Sequence, residues 1–188
     1  MKTIIAVAFL GLLGHTSCAE SDTTALDSSG CRDVKTIAMQ DFDPNQFFTG
    51  TWYLTHLKHR NHSSVCPKFD LKPTPPTIDY TYGVTQYPGM TFNMHCDGKT
   101  KKTGDVYTPF TCKGIVNYNL FMAPIATDYQ TYGLVYVCQK TPHVGENVFI
   151  FNRKSTTEIP DGAKTPLKQK LEESEENLTS LDCTSSST

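Results

Sequence analysis

The order of apolar and polar residues along the middle of the chain reads as a series of strands. Ile78, Tyr80, Tyr82 and Val84 alternate with Thr77, Asp79, Thr81 and Gly83. This period of two puts one face of a strand on a core and the other in water. Met90, Phe92 and Met94 alternate in the same way with Thr91, Asn93 and His95, and Val116, Tyr118, Leu120 and Met122 with Asn117 and Asn119. The segments Thr51–Lys58, Val65–Leu71, Asp105–Lys113, Tyr132–Gln139 and Val148–Arg153 bring the predicted strands to eight. Pro73-Thr74-Pro75-Pro76 ends the second strand, because proline cannot serve a central ladder. Asp97 to Lys102 reads as a polar, basic turn. Short connections predict an antiparallel meander, and one apolar face per strand suits a closed up-and-down barrel.

The pattern changes near the C-terminus. Thr165-Pro166 reads as an N-cap followed by proline at the first helical position. Leu167, Leu171 and Leu178 fall near one side of the predicted helix, with Glu172, Glu173, Glu175 and Glu176 on its solvated surface. The expected fold class is all-β: an eight-stranded antiparallel up-and-down barrel with a C-terminal α-helix leaning on its outside.

Composition adds compartment and exclusions. The chain has 188 residues, which fits one domain, and seven cysteines, an odd number. Met1-Lys2, the apolar run Ile4 to Gly14 and the small residues of Ser17-Cys18-Ala19 make a secretory signal. The run is too short to span a bilayer, which takes about 20 residues. Cleavage after Ala19 removes Cys18. It leaves Cys31, Cys66, Cys96, Cys112, Cys138 and Cys183, an even set that export favours as three disulfides. Their connectivity stays open at about 15 possibilities. The expected division is a signal over 1–19, a flexible segment over 20–30 and the barrel domain over 31–188. Asn61-His62-Ser63 and Asn177-Leu178-Thr179 are glycosylation sequons compatible with secretion. Seventeen basic residues against 19 acidic give no basic excess for nucleic acid, and no later segment is apolar enough to cross a membrane. No nucleophile elbow, His-Glu-X-X-His, phosphate loop or Cys-X-X-Cys zinc spacing occurs, so neither enzyme activity, cofactor nor metal is expected.

Three local signatures carry a family resemblance. Gly50-Thr51-Trp52 opens the first strand, Thr127-Asp128-Tyr129 sits between the sixth and seventh, and Arg153 ends the eighth. In order and spacing they resemble the three conserved segments of lipocalins. The resemblance implies that Gly50, Trp52, Thr127, Asp128, Tyr129 and Arg153 meet at the closed end of the barrel. There the guanidinium would stack on the indole, a cation–π contact. The stretch from Asp43 to His56, Val65-Cys66, and Ala126 to Tyr129 with Tyr132 and Cys138 is similar to salivary lipocalins of blood-feeding triatomine bugs, the triabin, pallidipin and triafestin relatives. This resemblance implies the disulfides Cys31–Cys138, Cys66–Cys183 and Cys96–Cys112. It also implies a secreted, monomeric salivary protein that impairs host haemostasis. The expected partner is either a small amphipathic host mediator (eicosanoid, biogenic amine or nucleotide) or, as for the triabin and triafestin relatives, a host protein of coagulation or the kallikrein–kinin contact pathway.

Strand parity then selects ligand-cavity candidates. With Cys138 and Cys66 outward, Val135, Val137, Val65 and Phe69 point inward. Trp52 sets Leu54 and His56 on its own face. The apolar faces add Tyr80, Tyr82, Phe92, Met94, Tyr118, Leu120 and Met122. A haem site in such a barrel would require an inward histidine, and only His56 has that parity. Asp79 falls on the outward face, so parity places no acid inside for an amine. An amphipathic or anionic ligand fits the predicted lining slightly better.

Overall fold

In the computed structural model, which describes residues 31–60, 65–72, 76–87, 90–99, 107–141 and 145–184, eight strands roll into a nearly closed antiparallel barrel. They are β1 (Gly50–Leu57), β2 (Lys68–Leu71), β3 (Thr77–Tyr87), β4 (Met90–Lys99), β5 (Thr108–Lys113), β6 (Tyr118–Thr127), β7 (Tyr132–Thr141) and β8 (Gly145–Asn152). The sheet runs β2-β1-β8-β7-β6-β5-β4-β3. At the seam β2 and β3 lie side by side without a ladder among the described residues. Side chains join them instead: the Phe69 ring sits 5.6 Å from Tyr80 and 5.3 Å from Tyr82. The signal segment, residues 20–30, the Asn61 sequon, His62, Pro73 to Pro75, Lys101, Lys102, Asp105 and His143 lie outside the described residues.

Two buried clusters flank the sheet. The inner one fills the barrel, with Trp52, Leu54, Leu57, Phe69, Met94, Leu120, Met122, Val135, Val137 and Phe151 among its members. The outer one joins Leu134, Tyr136, Cys138, Val148 and Ile150 to the helix α2 (Asp161–Leu171) and to the segment from Cys31 to Ala38. β7 is therefore apolar on both faces, as a strand covered on both sides must be. Ala163, Leu167 and Leu171 recur at every fourth position and form the buried stripe of α2. Each leucine contributes about 1.5–3 kcal/mol by leaving water.

The pairs Cys31–Cys138, Cys66–Cys183 and Cys96–Cys112 are joined as disulfides. The first pins the N-terminal segment to the outside of β7. The second holds the C-terminal tail, whose short strand β9 (Thr179–Ser180) pairs with His56 and Leu57 of β1. The third lies inside, across the directly paired positions of β4 and β5.

Several sequence expectations are corrected. The fourth strand runs on through Asp97, Gly98 and Lys99 rather than turning there. Gly98 is required because a Cβ at that position would come within 2.3 Å of the Phe110 ring. The second strand starts at Lys68, so parity does not extend to Val65 or Cys66; Cys66 joins the inner cluster instead of standing outside. Val116 precedes β6 and is exposed. The helix starts at Asp161 and carries Pro166 inside it, because Ala163 adds a turn to the Leu167–Leu171 stripe; Leu178 lies beyond its end. Glu173 is buried, with its carboxylate on the Lys58 ammonium.

Candidate functional site

The closed end is built from the short helix α1 (Pro44–Phe47) and the loops after β6 and β8. Asp43 caps α1 by accepting from the Asn45 and Gln46 amides. This sets Phe47 and Phe48 under the barrel, where the Phe47 ring stacks on Trp52 at 5.0 Å. The indole Nε1 donates to the Phe47 carbonyl at 2.6 Å. Arg153 covers the indole from outside, 3.6 Å from the ring centroid. Its Nη1 donates to the Thr51 carbonyl at 3.1 Å and its Nη2 to the Tyr129 carbonyl at 3.0 Å. Gly50 has a φ of +72°, and a Cβ there would meet Arg153 Nη1 at 3.4 Å. The Asp128 carboxylate accepts from the Gln130, Thr131 and Tyr132 amides. Burial alone would raise its pKa, but these bonds and the Thr131 hydroxyl outweigh it and hold the carboxyl below the usual value. This end is a structural plug.

The cup above it is the candidate binding site. Leu54, Phe69, Tyr80, Met94, Leu120, Met122, Val135 and Val137 are all buried in the inner cluster, with Tyr82 and Tyr118 partly buried against it. Phe92 is half-buried, opposite Val84 on the same face. The Tyr82 and Tyr118 hydroxyls are hydrogen-bonded to each other across the cup. Burial pushes the Tyr80, Tyr82 and Tyr118 phenols above their ordinary pKa, so all three remain protonated donors. Among the described residues, no inward position of β1 to β8 carries a charged side chain. A residual cavity of about 20 Å³ remains near the closed end, lined by Phe47, Phe48, Trp52, Phe69, Leu71, Tyr80, Met122 and Phe151. That is room for little more than one water.

His56 does not join the cup. The β1–β8 register shifts between Leu54 and His56, so Leu54 faces Phe151, His56 faces Ile150 and Leu57 faces Phe149. Thr55 is the extra residue of a bulge, and every side chain after it changes face. Leu57 turns inward, and His56 turns to the outer side, buried to 3% exposure. Its Nε2 reaches the Thr157 carbonyl at 3.1 Å and its Nδ1 the Thr55 hydroxyl at 3.0 Å. Burial holds its pKa below the ordinary 6.5, against the opposing pull of Thr157 and Glu175.

Sequence parity also missed Leu57, Phe149, Phe151 and the Cys96–Cys112 bridge as parts of the lining. Val148, Phe149, Ile150 and Phe151 are apolar on both faces, so alternation in β8 is silent. Its pairing with Val135 would have revealed Phe149.

Comparison with known proteins places this geometry. The family model described as Triabin matches residues 21–166. The chain is 32% identical over 144 residues to triabin of Meccus pallidipennis, covering 72% of this chain and 79% of that one. It is 29% identical over 170 residues to triafestin-1 of Triatoma infestans, covering 82% and 79%. Among solved structures it is similar to a variant of LTBP1 in complex with leukotriene C4. The TM-score is 0.68 at 30% identity, over 86% of this chain and 99% of that one. The tryptamine complex of the amine binding protein of Rhodnius prolixus shares the fold, with a TM-score of 0.62 at 20% identity over 76% and 82%.

Proposed function

The chain belongs to the triabin family, and from that membership we propose that it is a secreted salivary lipocalin that sequesters a small amphipathic host mediator, of eicosanoid type, and so impairs haemostasis. The observation that carries this reading is the uncharged, aromatic inner face with a tyrosine hydroxyl pair at mid-height. Among the described residues, an ammonium buried there would lack a carboxylate, and a phosphate would lack a cation; an unpaired buried charge is strongly unfavourable. An eicosanoid places its chain on Phe69, Met94, Leu120 and Val137 and its oxygens on Tyr82 and Tyr118. Its carboxylate stays at the open rim, where β1 ends beside the exposed His59 and Arg60. The likeness to a leukotriene C4 complex supports the same class. Entry requires the half-buried Tyr82, Phe92 and Tyr118 to part, because the cavity of about 20 Å³ near the closed end cannot hold such a ligand.

One observation favours a second reading. Near the closed end the inner cluster is packed down to a residual cavity of about 20 Å³, and such packing favours the outer surface and loops as the binding element, directed at a host protein of coagulation or the contact pathway. Calorimetric titration with leukotriene C4, a thromboxane mimic, serotonin, histamine and ADP separates the two. Saturable binding of the lipid ligands alone is the expected result. Silence across the panel, with prolonged contact-activated clotting of plasma, overturns it in favour of the second.

A further inference from the structure

The outer face of β3 and β4 carries a cluster that the cup does not use. In their antiparallel register Asp79 lies directly opposite Asp97, and Thr81 directly opposite His95. The same strands turn Tyr80, Tyr82, Met94 and Cys96 inward, so these four residues form an outward square on two paired strands. One ligand atom from each of Asp79, His95 and Asp97 lies within 4.8 Å of the others. His95 Nε2 is 3.0 Å from Asp97 Oδ1, and Nδ1 is 3.2 Å from Thr81 Oγ1.

We propose that Asp79, His95 and Asp97 form a surface site for a divalent transition-metal ion of the zinc type. The donor set is one imidazole nitrogen and two carboxylates, a combination that suits zinc, whereas calcium and magnesium take oxygen donors alone. Thr81 supplies the outer partner such a histidine needs. In the metal-free chain Nε2–H donates to Asp97 Oδ1; a metal displaces that proton, Nε2 becomes its ligand on the side where the carboxylates converge, and Nδ1–H then donates to the Thr81 hydroxyl. Charge favours occupancy as well. Two carboxylates directly opposite on neighbouring strands repel, and a dication between them reverses that sign. Lys113, opposite His95 on β5, and Lys99, two residues beyond Asp97, share this face and temper the negative field. Solvent supplies the remaining ligands, since all three side chains are exposed. The site stands apart from the cup and does not depend on what the cup binds.

The test is calorimetric titration of the oxidised full chain with Zn²⁺, with Ca²⁺ as the control, repeated on His95→Gln, Asp79→Asn and Thr81→Val. One Zn²⁺ per chain is expected, with no response to Ca²⁺. His95→Gln should weaken binding at least about ten-fold, as losses around metal sites generally do. Cu²⁺ used as a spectroscopic stand-in should give a nitrogen hyperfine pattern that His95→Gln abolishes. The exposed positions keep the variants folded, which an unchanged urea midpoint without metal verifies. No saturable Zn²⁺ binding by the native chain, or equal binding by His95→Gln, overturns the site.

Discussion

The Arg153 guanidinium lies over the Trp52 indole at 3.6 Å, and the same indole stacks on Phe47 at 5.0 Å. The arginine does two things at once: it satisfies carbonyls of Thr49, Thr51 and Tyr129, and it covers the only tryptophan of the chain. Arg153→Ala removes the cation–π contact and leaves those carbonyls to water. A loss of about 2–4 kcal/mol is expected, measured as a lower urea midpoint at unchanged slope. Arg153→Lys should recover only part, because an ammonium cannot stack and fork together.

The long-range disulfides should matter more than the local one. Cys66–Cys183 closes a separation of 117 residues and Cys96–Cys112 one of 16. Chain entropy assigns the first about 4.7 kcal/mol and the second about 3. Paired alanine substitution at each bridge, followed by urea unfolding, is expected to show that order.

Acid should weaken the fold through His56. Its folded pKa lies below 6.5, so the unfolded chain binds the proton more readily. The stabilisation is complete above the unfolded value and is lost as pH falls from 6.5 towards the folded pKa. Urea midpoints taken between pH 7.5 and 5.5 should fall for the native chain, with a shallower fall for His56→Gln.

Tyr118→Phe tests the hydroxyl pair of the cup. It removes one partner of Tyr82 without changing the ring, so the fold should persist. Affinity for an oxygenated lipid is expected to drop about three- to ten-fold, the worth of one hydrogen bond, in the same calorimetric assay. An unchanged affinity would take Tyr118 out of the ligand's path.

The bulge makes its own prediction. Leu57 faces Phe149 inside the barrel, so Leu57→Ala should cost about 2–4 kcal/mol in thermal or urea unfolding. A straight strand would have put Leu57 outside and made the change nearly neutral.

The barrel was legible wherever one face is dry and the other wet. Ile78 to Val84 and Tyr118 to Met122 announce their faces by alternation. The pairing of six cysteines and the meeting of Trp52 with Arg153 came from resemblance, since no local pattern encodes a contact across 100 residues. What escaped has three physical causes. Thr55 enters β1 as one extra residue, which composition cannot reveal, and it reversed His56 and Leu57. Outer cover by α2 and the segment from Cys31 to Ala38 makes β7 and β8 apolar on both sides, hiding Phe149 and Phe151. Asp97 and Lys99 look like a turn because they stand on the wet face of a strand whose inner position there is a glycine.

The first strand of the barrel is bonded to the last two of the chain, β8 and β9, and the staple at Cys66 waits for Cys183. A chain emerging N-terminus first can therefore form its central meander during synthesis, yet β1 stays without those partners until the final residues are delivered. A message truncated even slightly before Cys183 would yield a barrel with its side unlatched, marked by one unpaired thiol at Cys66.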